Sequence, residues 1–219
     1  MRREGEGKVR RQGLFVTFEG IEGSGKTTQA RRLYRFLKNK GFPCLLTKEP
    51  GGTKRARSLR TILLAPRGEK LSESAEVFLY LADRAQHVEE VIRPALRAGK
   101  VVLCDRYSDA TFAYQGGGRG HPMKMLREMD RLATGGVRPV LTFLLDVPVG
   151  VGLARAQKRH RGQDRIEGES IRFHEKVRKA YLGLGNKSRG RTVILEGTRP
   201  IPEIQKIIRE QVASRSEKS

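Results

Sequence analysis

The stretch Leu14-Phe-Val-Thr-Phe-Glu-Gly20-Ile-Glu-Gly-Ser-Gly-Lys26-Thr27-Thr28 decides the fold. Its first six residues form a short, mostly apolar run ending on Glu19, the mark of a strand buried on both faces. From Gly20 the chain reads G-x-x-x-x-G-K-T, and an amphipathic helical segment, Lys26–Lys40, opens at once. Strand, glycine loop and helix in that order are the context this motif requires. Glycines let backbone N–H groups turn inward around a phosphate, and the helix N-terminus adds partial positive charge. Gly20, Gly23, Ser24 and Gly25 shape the cradle, with Thr28 just beyond it. Lys26 can reach the β- and γ-phosphates, and the Thr27 hydroxyl can ligate Mg²⁺. The loop therefore binds a nucleoside triphosphate. GTPases, ATPases, motor proteins and small-molecule kinases share it, so the acceptor must be read elsewhere.

Working outward, four more short apolar runs, Cys44–Glu49, Val101–Asp105, Val140–Asp146 and Thr192–Glu196, each end at a polar or acidic residue. Helical periodicity occupies Ser58–Leu64, Ser72–Ala98, Pro122–Ala133, Pro148–Arg159, Ser170–Leu184 and Pro202–Val212. Apolar strands alternating with helices predict an α/β fold, a five-stranded parallel sheet with helices on both faces. Ligands of such sheets bind at the carboxyl ends of the strands, where Glu19, Glu49 and Asp105 would share a rim.

At 219 residues with 37% hydrophobic content the chain has room for one full core. We expect a single domain over 13–212, a basic tail over 1–12 and a polar tail over 213–219. No apolar run nears the ~20 residues of a membrane span, and no signal peptide follows the charged start. Two cysteines, Cys44 and Cys104, are too few for a disulfide framework and suit a reducing cytoplasm. The four histidines show no metal-ligand spacing. The net charge of +21 draws anions, and twelve Lys/Arg against four Asp/Glu fall in 149–191.

Further segments narrow the acceptor: Lys48-Glu-Pro-Gly-Gly-Thr53, Tyr80-Leu-Ala-Asp-Arg-Ala-Gln-His87, Asp105-Arg-Tyr…Tyr114-Gln-Gly-Gly-Gly-Arg-Gly120, and Asp146 to Arg155 leading to Asp164-Arg-Ile-Glu167. In this order and spacing, over roughly 14–212, the chain resembles thymidylate kinase in its bacterial form, a nucleoside-monophosphate-kinase-like P-loop fold with a small lid at about 155–168. The resemblance implies transfer of the γ-phosphoryl of ATP to dTMP, with Mg²⁺. It also implies a homodimer with its contact near Ser72–Ala98, and no need for nucleic acid.

By the same resemblance Arg106 grips the dTMP phosphate, a task suited to a guanidinium fork, and Asp105 holds Mg²⁺ with Thr27. Tyr80 and Arg84, four apart on one helix face, stack on thymine and bond its carbonyl; Phe is usual where Tyr80 stands. Glu22 meets the sugar 3′-hydroxyl, and Tyr114 disfavours ribose. Thr111 and Gln115 contact the base, Arg60 supports the phosphate, and Glu49-Pro50 brings backbone close to the substrate. Arg155 serves ATP. With Ile21, Glu22, Gly23 and Ser24 in the loop's variable positions, no arginine stands there. Transition-state charge is then met from a lid holding Arg155, Lys158, Arg159, Arg161 and Arg165, with Arg159 or Arg161 catalytic. Two other readings stay open: a related kinase with another acceptor, and a P-loop nucleic-acid-binding protein. The low aromatic content, 6% with no Trp, counts against the second.

Overall fold

A computed structural model describes residues 13–65, 71–158, 164–188 and 190–216. The five strands are β1 (Phe15–Glu19), β2 (Cys44–Lys48), β3 (Val101–Asp105), β4 (Leu141–Asp146) and β5 (Thr192–Glu196). They pair in parallel in the order β2-β3-β1-β4-β5. The central strands β1, β3 and β4 are buried almost end to end, which is why they read as continuous apolar runs. Register aligns Phe18 and Lys48 with Asp105, and Asp146 with Glu196, so the acidic strand ends do share one rim.

The period-two alternation divides the core. Val16, Phe18, Leu103, Phe143 and Leu145 face α1 (Lys26–Asn39) and α9 (Ile201–Ser216) through Leu33, Leu37, Ile204, Ile208 and Val212. Phe15, Val102 and Cys104 pack on the other face with Val88, Ile92 and Tyr107. Helices α2 (Lys54–Leu64) and α3 (Glu73–His87) follow β2, and α6 (Met123–Thr134), α7 (Val149–Gln157) and α8 (Ile171–Asn186) complete the layers.

The helical reading shifts in four places. Thr53 Oγ1 accepts from Ala56 N at 3.0 Å, so α2 starts four residues before Ser58. The expected helix Ser72–Ala98 is α3, then a π-helical turn Val88–Ile92, then α4 (Arg93–Arg97). Pro94 explains the break, because it has no N–H for the ordinary helical bond to Glu90. A short α5 (Ser108–Thr111) and a second π-helical turn, Phe112–Gly118, stand where no helical periodicity was read. The glycines there let α8 side chains press on the turn's backbone: a Cβ on Gly117 would lie 2.4 Å from Ala180 Cβ, and one on Gly118 2.5 Å from the Phe173 ring. Finally, α9 carries on past Val212 to Ser216, into the expected tail.

Candidate active site

Gly20, Gly23 and Gly25 have φ of +136°, +67° and +97°, a left-handed backbone that suits glycine. Space also excludes a side chain at Gly23, where a Cβ would stand 1.9 Å from the Gly152 carbonyl. Lys26, on the first turn of α1, donates its Nζ to the carbonyls of Gly20 at 2.9 Å and Ile21 at 2.6 Å. Burial pushes its pKa down to about 7, Arg106 adds repulsion, and Asp105, Glu22 and Glu19 pull the other way. Negative charge brought into the loop would hold it as an ammonium.

Arg106 ends the β3 turn at φ +74°, a strained position for a non-glycine residue and one the surroundings must impose. Its side chain donates to the Gly20 carbonyl (2.9 Å), the Tyr181 hydroxyl (3.1 Å) and Glu22 Oε1 (2.7 Å), and lies 5.0 Å over the Tyr114 ring. Gly20 O thus accepts from both Lys26 and Arg106. Glu22 Oε1 also accepts from the Tyr114 hydroxyl at 2.6 Å, and Glu22 Oε2 stands 3.3 Å from His174 Nδ1. Burial raises the Glu22 pKa, but Arg106, His174, Lys26 and Tyr114 together hold it well below the carboxylate range. Behind the loop, Glu19 accepts from Tyr107 N and from the Tyr181 hydroxyl.

The Thr27 hydroxyl donates to Asp105 Oδ2. This pair lies beside the phosphate cradle and offers only oxygen donors. Mg²⁺ binds through one or two carboxylates plus substrate phosphates, so the donor set fits it. No cluster of three His, Cys, Asp or Glu that could hold a metal occurs among the described residues.

Two of the expected acceptor contacts, Glu49 and Thr111, meet at a third, Arg84. Arg84 is 2% exposed, donating at 2.9 Å to each of Glu49 Oε2, Thr111 Oγ1 and Asp130 Oδ1. It is the centre of an ion network on the helix face it shares with Tyr80. Glu49 Oε1 is held by His87 Nδ1. Arg60 Nη1 donates to the Pro50 carbonyl at 2.9 Å. Tyr80 is half-buried on α3, and burial raises its pKa. Gln115 donates to Glu76 at 2.8 Å.

A cleft of about 340 Å³ runs from Gly23–Gln29, Thr28 included, past Arg155 to Gly197, Arg199, Ile201 and Ile204. Arg155 Nη1 donates to the Gly197 carbonyl at 2.9 Å. Arg159 and Arg161 lie outside the described residues. Arg165 points to α2 and α3 rather than to this cleft, donating to the Leu63 carbonyl and to Glu76.

Sequence reasoning missed Glu76, His174, Tyr181 and Arg199. His174 and Tyr181 carried a usable signal: seven residues apart on one helix face with Val177 between them, they are polar groups on a buried stripe and need partners. Glu76 and Arg199 carried none.

The thymidylate kinase family profile matches residues 18–208. The chain is 49% identical over 197 residues to the thymidylate kinase of Desulfovibrio desulfuricans, covering 87% of this chain and 91% of that one. It is 49% identical over 209 residues to that of Geotalea daltonii, covering 93% and 98%. The crystal structure of thymidylate kinase from Ehrlichia chaffeensis superimposes with a TM-score of 0.75 at 29% identity, over 92% of this chain and 98% of that one. On this coverage and identity, the chain belongs to the thymidylate kinase family.

Proposed function

We propose that the chain transfers the γ-phosphoryl of ATP to dTMP, giving dTDP, with ATP in the Lys26 cradle and dTMP between Arg106, Tyr80 and Glu22. The observation that carries the residue roles is the Gly20 carbonyl, which accepts from Lys26 and Arg106 at 2.9 Å each. One peptide group thus joins a cation for the donor phosphates to a cation for the acceptor phosphate.

The nucleophile is a dTMP phosphate oxygen. With a second pKa of about 6 it is mostly a dianion at pH 7, so no general base is needed. The barrier is repulsion between two polyanions. Lys26, Arg106 and the arginines at 159 and 161 offset it by position and charge. Thr27 and Asp105 would hold Mg²⁺, which when bound neutralises phosphate charge. Glu22, kept ionised, accepts from the sugar 3′-hydroxyl, and Tyr114 crowds the 2′ position. Thr111 and Gln115 face the base, Arg60 and Glu49-Pro50 shape the phosphate end, and Arg155 lies along the nucleotide. Arg84, held by Glu49, Thr111 and Asp130, bonds the thymine carbonyl beside Tyr80. Phe78 on α3, 60% exposed, offers an apolar contact for a second copy. The free thiols of Cys44 and Cys104 suit the cytoplasm.

A panel of dTMP, dUMP, dCMP, dAMP, dGMP and thymidine with ATP tests the assignment. dTMP should give the highest kcat/KM. Preference for thymidine or for another monophosphate overturns it.

A further inference from the structure

Glu76 stands on α3 one turn before Tyr80, so the two share a helix face. It is 1% exposed, and its carboxylate is used on both oxygens. Oε1 accepts from Gln115 Nε2 at 2.8 Å and from Arg119 Nε at 3.4 Å. Oε2 accepts from Arg119 Nη2 at 3.2 Å and from Arg165 Nη1 at 2.6 Å. Burial would raise its pKa, but Gln115, Arg119 and Arg165 hold it below the ordinary value. A buried carboxylate persists as an anion only where such partners meet its charge.

Arg165 arrives from a different part of the chain. It sits on the turn after 159–163, where Asp164 Oδ1 accepts from the N–H groups of Ile166 and Glu167. Its Nε donates to the Leu63 carbonyl at the end of α2, at 3.0 Å. Arg119 fastens the same arm again through Glu169 Oε1 at 2.6 Å. Every described hydrogen bond of the Arg165 guanidinium therefore runs toward α2 and α3, and Arg165 is not among the residues lining the Gly23–Gln29 cleft.

We propose that Arg165 and Glu76 form a positioning pair for the acceptor base: Arg165 closes on Glu76, which aims Gln115 and braces the helix turn beneath Tyr80. The arm that follows the arginine-rich segment then reports on the acceptor rather than on ATP. This rests on Tyr80 and Gln115 being the base pocket.

Steady-state kinetics on Arg165→Met, Arg165→Lys, Gln115→Ala and the Arg165→Met/Gln115→Ala double variant test it. Loss of one charge-assisted hydrogen bond predicts a rise of about tenfold in KM for dTMP in Arg165→Met. Turnover at saturating dTMP and KM for ATP should stay near wild type. Arg165→Lys keeps a charge near Glu76 and should fall between the two, which also covers a poorly folded methionine variant. The double variant should be no worse than the more impaired single one. An unchanged KM for dTMP, a loss confined to turnover or to KM for ATP, or additive penalties each overturn the pair's role. Gln115→Ala alone reports on the pocket itself. If it leaves KM for dTMP unchanged, the pocket assignment fails, and the proposed pair with it.

Discussion

Replacing Arg106 with methionine tests the proposed acceptor grip apart from the rest of the site. Methionine keeps an apolar body against the Tyr114 ring, now 5.0 Å from the guanidinium carbon, and removes every donor. A guanidinium fork on a phosphate makes two charge-assisted hydrogen bonds, each worth about 1.5–3 kcal/mol. Part of that is offset, because Arg106 is already paired with Glu22 at 2.7 Å and bonded to Gly20 O and Tyr181. A net loss of about 2–4 kcal/mol remains, which is about 30- to 1,000-fold in kcat/KM for dTMP. The donor side responds in the opposite sense. Arg106 is, after burial, the main cause of the depressed Lys26 pKa of about 7, so its removal returns Lys26 toward a full ammonium. Binding of a non-hydrolysable ATP analogue should therefore hold or tighten. Initial rates by coupled ADP release, with each substrate varied in turn, calorimetric titration of the analogue and a thermal melt read all three quantities. Equal weakening of the analogue and of dTMP use refutes the reasoning, as does a change in kcat/KM for dTMP of under about threefold.

Lys26→Ala should lower turnover by orders of magnitude with the melting transition retained, as measured by ADP release and circular dichroism. Gly23→Ala places a Cβ 1.9 Å from the Gly152 carbonyl at φ +67°, so ATP-analogue binding should fall by at least about tenfold while dTMP binding persists. Arg155→Ala, which loses the bond to Gly197 O, should raise KM for ATP and leave KM for dTMP unchanged in the same rate assay. Glu19 is pushed up to about 8, by burial first and Asp109 second, against an ordinary value of 4.5. Between those values the folded chain holds a proton that the unfolded chain lacks, so this contribution to stability falls as pH rises through the window. Urea titrations at pH 5 and pH 8 should show Glu19→Gln losing less stability than wild type over that interval.

The strands were legible because burial on both faces leaves a run of apolar residues that nothing else in the chain imitates. The cradle was legible because its glycines and Lys26 stand at fixed spacing within 20–27. What escaped was set by contacts distant in sequence. The π-helical turn at Phe112–Gly118 looks like a loop, since three glycines lower helix propensity, and only α8 packing against them holds the shape. The spacing of Arg84 from Tyr80 shows a shared helix face but not Glu49 and Asp130, brought from 35 and 46 residues away, which bond it. Glu76 resembles any acidic residue in a first helical turn. Its role depends on Gln115, Arg119 and Arg165 converging on one buried point.

The seam between the glycine turn and α8 has a mechanical consequence. Gly117 and Gly118 contribute no side chain of their own, and Ala180 and Phe173 of α8 sit directly on their backbone, so the wall carrying Tyr114 and Gln115 packs tightly on the helix carrying His174 and Tyr181. Such a block has nothing to compress and acts as a fixed jaw. Helix α3 is tied to that block through Glu76 to Gln115 and Arg119 and through Arg84 to Thr111, so the give an incoming acceptor requires is expected along α2. Amide exchange should accordingly stay slow across 113–118 and 173–181 throughout turnover, and quicken and quieten along 54–64 as acceptor leaves and returns.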